Sequence, residues 1–168
     1  MRISSYLAFI MVLFAAVTAC VQPPEYPLEP VIENAVLNKN TIAQSSNATP
    51  PDTLYVTFSY TDGDGNLGDA DDGVFDVILT DSRDDFELPF RIPVIPDQGV
   101  GNGISGEITV GIPNLFMCCI YEDKNGQDPC TASTQFPTDT LSFGIHILDR
   151  DGNESNRIQT APIVLQCN

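Results

Sequence analysis

The chain has no tryptophan, one histidine, and seven Lys and Arg residues against 23 Asp and Glu. Each shortage removes a class of function. A single histidine, His146, cannot supply a two-histidine metal site or a base relay, and no CxxC pair makes up for it, so zinc chemistry is excluded. Without tryptophan there is no broad platform on which a sugar ring could stack. A net charge of −16 argues against nucleic acid and against electrostatic docking on anionic lipid. It suits a solvated surface, a cation or a basic partner. Sustained helical spacing is also missing, and every well-patterned segment after residue 30 alternates with period two.

The first segment, MRISSYLAFIMVLFAAVTAC, places Arg2 before an apolar run from Tyr6 to Val17, with small residues leading to Cys20. This is the layout of a secretory signal peptide over residues 1–19, too short and wrongly flanked for a membrane-spanning helix. Its last four residues, Val17-Thr18-Ala19-Cys20, resemble the lipobox of bacterial lipoproteins. The resemblance implies cleavage before Cys20 and a diacylglyceryl group on its thiol, which makes membrane lipid the first partner. Two or more acyl chains anchor firmly, at about 0.8 kcal/mol per buried methylene. Val21, where an aspartate would signal inner-membrane retention in the enterobacterial scheme, implies the outer membrane. Removing Arg2 with the leader leaves six basic residues against 23 acidic ones, a net charge of −17. Residues 20–30 carry four prolines and read as an extended tether reaching up to about 30 Å from the bilayer.

Residues 31–168 are of single-domain size. Period-two segments fall at 31–37, 53–60, 74–80, 87–94, 104–112, 139–148 and 157–165, with turn-rich joints between them. In 53–60, Leu54, Val56, Phe58 and Tyr60 share one face. In 139–148, Leu141, Phe143, Ile145 and Ile147 do the same, which sends His146 to the outer face. Seven short strands at this spacing predict an all-β, antiparallel, immunoglobulin-like sandwich. Four cysteines remain beside Cys20: Cys118, Cys119, Cys130 and Cys167. An exported chain meets an oxidising compartment, so disulfides are expected. Neighbouring side chains of an extended chain point to opposite faces, which excludes a Cys118–Cys119 bond. Two connectivities remain: one member of the pair joins Cys130 and the other joins Cys167.

Two loops are rich in hard oxygen donors. YTDGDGNLGD (60–69) places Asp62, Asp64 and Asn66 at alternate positions with glycines between them. It is similar to the first half of an EF-hand calcium loop, but position six is Leu67 and position twelve is Gly73, so that geometry is excluded. The second loop, LDRDGNESN (148–156), contains Asp149 and Asp151 and resembles the turn between the last two strands of bacterial Ig-like surface domains. If the strands before the two loops end at the same pole of a sandwich, Asp62, Asp64, Asn66, Asp149 and Asp151 converge. Two readings follow. Asp, Asn and Gly are ordinary turn residues and point into water, or the loops share a calcium ion that offsets repulsion of about 1 kcal/mol per carboxylate pair at 4 Å in water.

The remaining motifs are weak. GNGISG (101–106) has the letters of a dinucleotide fingerprint but runs on as a strand, not a helix. NAT (47–49) and NES (153–155) are sequons only in letters, because the lipobox implies a bacterium. The DTL triplets at 52–54 and 139–141, which resemble the O-glycosylation motif of Bacteroidota, are short enough to occur by chance. The lipobox, the Asp/Gly/Asn loops, the late cysteine cluster and the terminal cysteine together resemble the small outer-membrane lipoproteins of Bacteroidota with an Ig-like or fibronectin III-like domain. The resemblance implies a non-catalytic binding or structural module at the cell envelope, with no required cofactor beyond a candidate calcium ion and with a protein or glycan partner of unspecified kind. The alternative is a small surface enzyme or sugar-binding accessory protein of a polysaccharide uptake system.

Overall fold

A computed structural model describes residues 25–45, 50–71, 73–96, 103–120 and 130–167. The leader 1–19, Cys20 and the sequon at 47–49 lie outside the described residues. Among the described residues ten strands form, in the order β1 (Val31–Leu37), β2 (Thr41–Ala43), β3 (Thr53–Asp62), β4 (Val77–Asp81), β5 (Glu87–Phe90), β6 (Ile104–Pro113), β7 (Thr138–Leu141), β8 (Phe143–Ile147), β9 (Ile158–Gln159) and β10 (Ile163–Gln166). A 3-10 turn, Asn114–Phe116, follows β6.

The sheets are β1-β3-β6, β5-β4-β8-β9 and β2-β10-β7. Because β7 runs on into β8 and β9 into β10, the last two sheets are two ends of one bent layer. The chain enters the second layer briefly at β2 and returns at β3, then changes layer between β3 and β4, between β5 and β6, and between β6 and β7. Those crossings are the Greek-key connections of Ig-like sandwiches. Counting β1/β2, β7/β8 and β9/β10 as single bent strands restores the expected seven.

The differences from the sequence pattern have local causes. The stretch 139–148 breaks at Ser142, whose N–H donates to Ser82 Oγ (3.0 Å) while its carbonyl accepts from the Ser82 N–H (3.0 Å). This pair diverts the strand from β10 to β4. The stretch 157–165 breaks before Pro162, which has no N–H for a ladder. The short β2 was hidden by its length, and its parallel pairing with β10 departs from the otherwise antiparallel pattern. Strand β4 begins only at Val77, and β5 ends at Phe90 instead of continuing to 94.

The core follows the alternation. Leu54, Val56, Phe58 and Tyr60 of β3 are buried, as are Leu141, Phe143, Ile145 and Ile147, facing Val77, Leu79, Ile163 and Leu165. Each such side chain stabilises the fold by about 1.5–3 kcal/mol relative to exposure. His146 corrects an expectation: it is buried, not turned to solvent. Strand β8 lies inside its sheet between β4 and β9. Residues 154–155 run alongside its end, where Leu148 bridges Glu154 and the Ser155 N–H donates to the Ile147 carbonyl at 2.9 Å. There Glu154 Oε1 approaches His146 Nε2 at 3.8 Å. Burial pushes the imidazole pKa below its usual value, and the Arg157 charge adds to the effect.

The cysteines resolve to Cys118–Cys130 and Cys119–Cys167. Alternation explains the choice, because Cys119 and Cys167 are fully buried whereas Cys118 and Cys130 lie partly outside. Beside them Arg83 bridges both carboxylate oxygens of Asp81, Asp139 and the Cys118 carbonyl, closing the pole opposite the Asp-rich loops.

The segment expected to be tether also changes in part. The carbonyl oxygens of Tyr26 and Pro27 lie where a side chain on Gly63 would sit, and the Tyr26 ring lies where one on Gly103 would sit. Two residues without side chains open a slot, and 26–27 fills it. The domain therefore takes in residues from Tyr26 onward.

Candidate metal centre

Strand β3 outruns its apolar pattern by two residues, pairing Asp62 with Ile104. Position 62 has the parity of Leu54, Val56, Phe58 and Tyr60, so the pleat turns its carboxylate inward, where it is 0% exposed. A buried carboxylate is costly unless hydrogen bonds or a counter-charge meet it. Gly65 adopts φ 73°, which curls the chain back so that the Asn66 N–H donates to Asp62 Oδ2 at 2.9 Å. Asp62 Oδ1 is buried and accepts no hydrogen bond.

The second loop arrives as the strand ends predicted. Leu148 N–H donates to the Asp76 carbonyl at 2.9 Å and Arg150 N–H to the Asn66 carbonyl at 3.2 Å. Asp149 folds its own turn: Oδ1 accepts from the N–H groups of Asp151 (2.9 Å) and Asn153 (2.7 Å), and Oδ2 accepts from Asn153 Nδ2 (2.7 Å). Oxygens of Asp62, Asp64 and Asp149 lie within 4.8 Å of one another. Asn66 Nδ2 donates to Asp64 Oδ2 and to Asp151 Oδ2, each at 3.1 Å. All five residues singled out in the sequence therefore meet at one pole. One contributor was missed: Arg150, whose Nε and Nη2 hold the carbonyls of Gly68 (2.6 Å), Leu67 (3.1 Å) and Ile95 (3.2 Å). Its neighbours in DRDG drew attention as ligands, and a structural arginine has no sequence signature of its own.

The electrostatics follow from crowding. Burial, then the Asp64 charge, push the Asp62 pKa from 3.8 up to about 6; Asp149 adds to the rise, and the backbone N–H groups of Asn66 and Gly65 oppose it. Asp64 Oδ1 and Asn66 Oδ1 are also buried without a hydrogen bond. Three orphan oxygens from alternate residues and a third carboxylate across the gap make an all-oxygen donor set. Hard cations take such a set, and calcium takes six to eight oxygens. Beside the cluster lies a cleft of about 270 Å³ lined by Asp69, Val74, Phe75, Asp76 and Asp149. Asp76 accepts a short bond from the Ile92 N–H (2.5 Å), and burial raises its pKa. No known protein family, curated protein or solved structure matches this chain.

Proposed function

We propose that the chain is a lipid-anchored, non-catalytic module of the bacterial outer membrane, whose Ig-like domain binds or braces a partner and whose loop pole is tied by calcium. Cys20 carries the lipid; Asp62, Asp64, Asn66, Asp149 and Asp151 hold the ion. One observation carries the calcium reading: the fully buried Asp62 carboxylate keeps an oxygen without a hydrogen bond while two more acidic side chains crowd it. An ordinary turn points its carboxylates into water, as the tips of surface loops do. The ion would offset this charge and join the β3–β4 and β8–β9 loops. Thermal melts with calcium and with chelator, together with titration calorimetry, test it. The expected result is a higher midpoint with calcium and a measurable binding heat. An unchanged midpoint and no heat at millimolar calcium reject the ion. For the anchor, a Cys20→Ala variant is expected to leave the membrane fraction, and its retention there rejects the lipoprotein reading.

The cleft favours a second reading, a small surface enzyme or sugar-binding accessory protein, because an exposed aromatic, Phe75, stands beside carboxylates. The non-catalytic reading is better supported. Asp149 has three hydrogen-bond donors on its two oxygens, and Asp76 is tied to the Ile92 N–H, so neither is held as an acid or base facing a substrate. Loss of glycan binding in Phe75→Ala, with an unchanged calcium response, would establish the sugar-binding role instead.

A further inference from the structure

The loop pole is also the pole where the chain arrives. Val31 pairs with Thr61, so β1 starts beside the end of β3, and Tyr26 and Pro27 lie against Gly63 and Gly103. Tyr26 lies only six positions after Cys20, which is at most about 20 Å of fully extended chain. Whatever holds Cys20 therefore holds this pole close. The same pole presents apolar side chains outward. Leu28 precedes β1, Val74 and Phe75 precede β4, and Val94 follows β5, whose Phe90 pairs with Val77; all four are exposed. Phe75, at 49% exposure, stands in the cleft wall beside Asp149.

We infer that this pole is a membrane-docking surface: Leu28, Val74, Phe75 and Val94 rest on the bilayer that holds Cys20, and the disulfide pole faces away. The inference rests on the lipid anchor proposed above. Short covalent reach supplies the encounter and exposed apolar groups supply the adhesion, each contributing as its area leaves water. The overall acidity opposes contact with anionic headgroups. A cation held by Asp62, Asp64 and Asp149 reduces that opposition where the approach is closest. The far pole also exposes apolar side chains, Phe86, Leu115, Phe116 and Phe136, so the short reach from Cys20 selects which pole meets the bilayer. The far pole is turned toward the solvent and toward a partner.

The absence of tryptophan makes a clean test available. The mature lipoprotein is purified from membranes as Phe75→Trp and, separately, as Phe116→Trp, both at exposed positions. Each is reconstituted with calcium into vesicles of phosphatidylethanolamine and phosphatidylglycerol carrying a headgroup spin label. The Phe75→Trp emission is expected to be blue-shifted and quenched at least about two-fold, as for a side chain at the headgroup boundary. The Phe116→Trp emission is expected to match that in unlabelled vesicles. Equal quenching of both, quenching of Phe116→Trp alone, or quenching of neither overturns the inference. Mass spectrometry of the N-terminal peptide separates the two levels. A peptide without acyl chains overturns the anchor and the inference together, whereas an acylated protein with the wrong quenching pattern overturns only the inference.

Discussion

Replacing Asp62 by asparagine gives opposite results with and without calcium. The carboxylate is 0% exposed and its pKa rises from 3.8 to about 6. A group whose pKa is higher folded than unfolded contributes stability that is complete below the unfolded value. That stability is lost as pH rises through the folded value. The ion-free protein should therefore lose stability between about pH 4 and pH 6, and at pH 7 the loss is at most about 3 kcal/mol, at 1.36 kcal/mol per unit. The introduced amide would keep an acceptor for the Asn66 N–H and offer its own N–H groups to the neighbouring carboxylates, so the charge cost disappears without a new orphan. In chelator at pH 7, Asp62→Asn should be more stable than wild type by about 1–3 kcal/mol. That is a rise of roughly 4–10 °C in midpoint for a domain of this size. In calcium the order should reverse. Wild type gains about 4.1 kcal/mol when the free ion is a thousand times its dissociation constant, which exceeds the variant's advantage, and the variant gains little. Differential scanning calorimetry at pH 4.5 and pH 7, with and without calcium, reads all of this. A variant less stable than wild type in chelator, with a wild type indifferent to calcium, would refute the reasoning.

Three further outcomes follow from the packing. Arg83→Met leaves Asp81 and Asp139 facing each other without their shared guanidinium, and should cost about 3–5 kcal/mol in urea denaturation. A Cys119→Ser, Cys167→Ser pair opens a loop of 48 residues and should cost about 4 kcal/mol. Opening the 12-residue Cys118–Cys130 loop should cost nearer 3 kcal/mol, both by chemical denaturation. Gly63→Ala drives a methyl group into the carbonyls of Tyr26 and Pro27 and should cost about 1–3 kcal/mol. Proteolysis should then cut earlier near residue 30, while the 54–58 core stays protected.

Most of the fold can be read from the alternation, because a half-buried strand records its inward face at every second residue. The inward sets of β3 and β7/β8 are the ones the pattern marks. Where the reading failed, two demands competed for one stretch. Residues 139–148 alternate without interruption, yet Ser142 exchanges two hydrogen bonds with Ser82 and divides the stretch between two sheets. His146 has the parity of an outward residue and is buried nevertheless: it sits on an inner strand, and Glu154, brought alongside by its bridge to Leu148, reaches to 3.8 Å from the ring. Parity states which side of a sheet a residue takes, and only the neighbouring loops state whether that side is dry.

By itself the sequence determined the all-β class, the strand faces, and which residues could supply hard oxygens. These depend on residue type and on spacing within one strand or one loop, and both are local. Tertiary structure decided what depends on distant parts of the chain meeting. It chose Cys118–Cys130 and Cys119–Cys167 from two admissible pairings, since of the two neighbouring cysteines Cys119 faces the core, where Cys167 also lies. It brought Asp149 within 4.8 Å of Asp62 and Asp64, some ninety residues earlier, because β3 and β8 end at the same pole. It also buried Asp62, when β3 continued its pleat one inward position beyond the last apolar residue. A carboxylate buried in that position, with one oxygen that accepts no hydrogen bond, is the observation on which the proposed cation site rests.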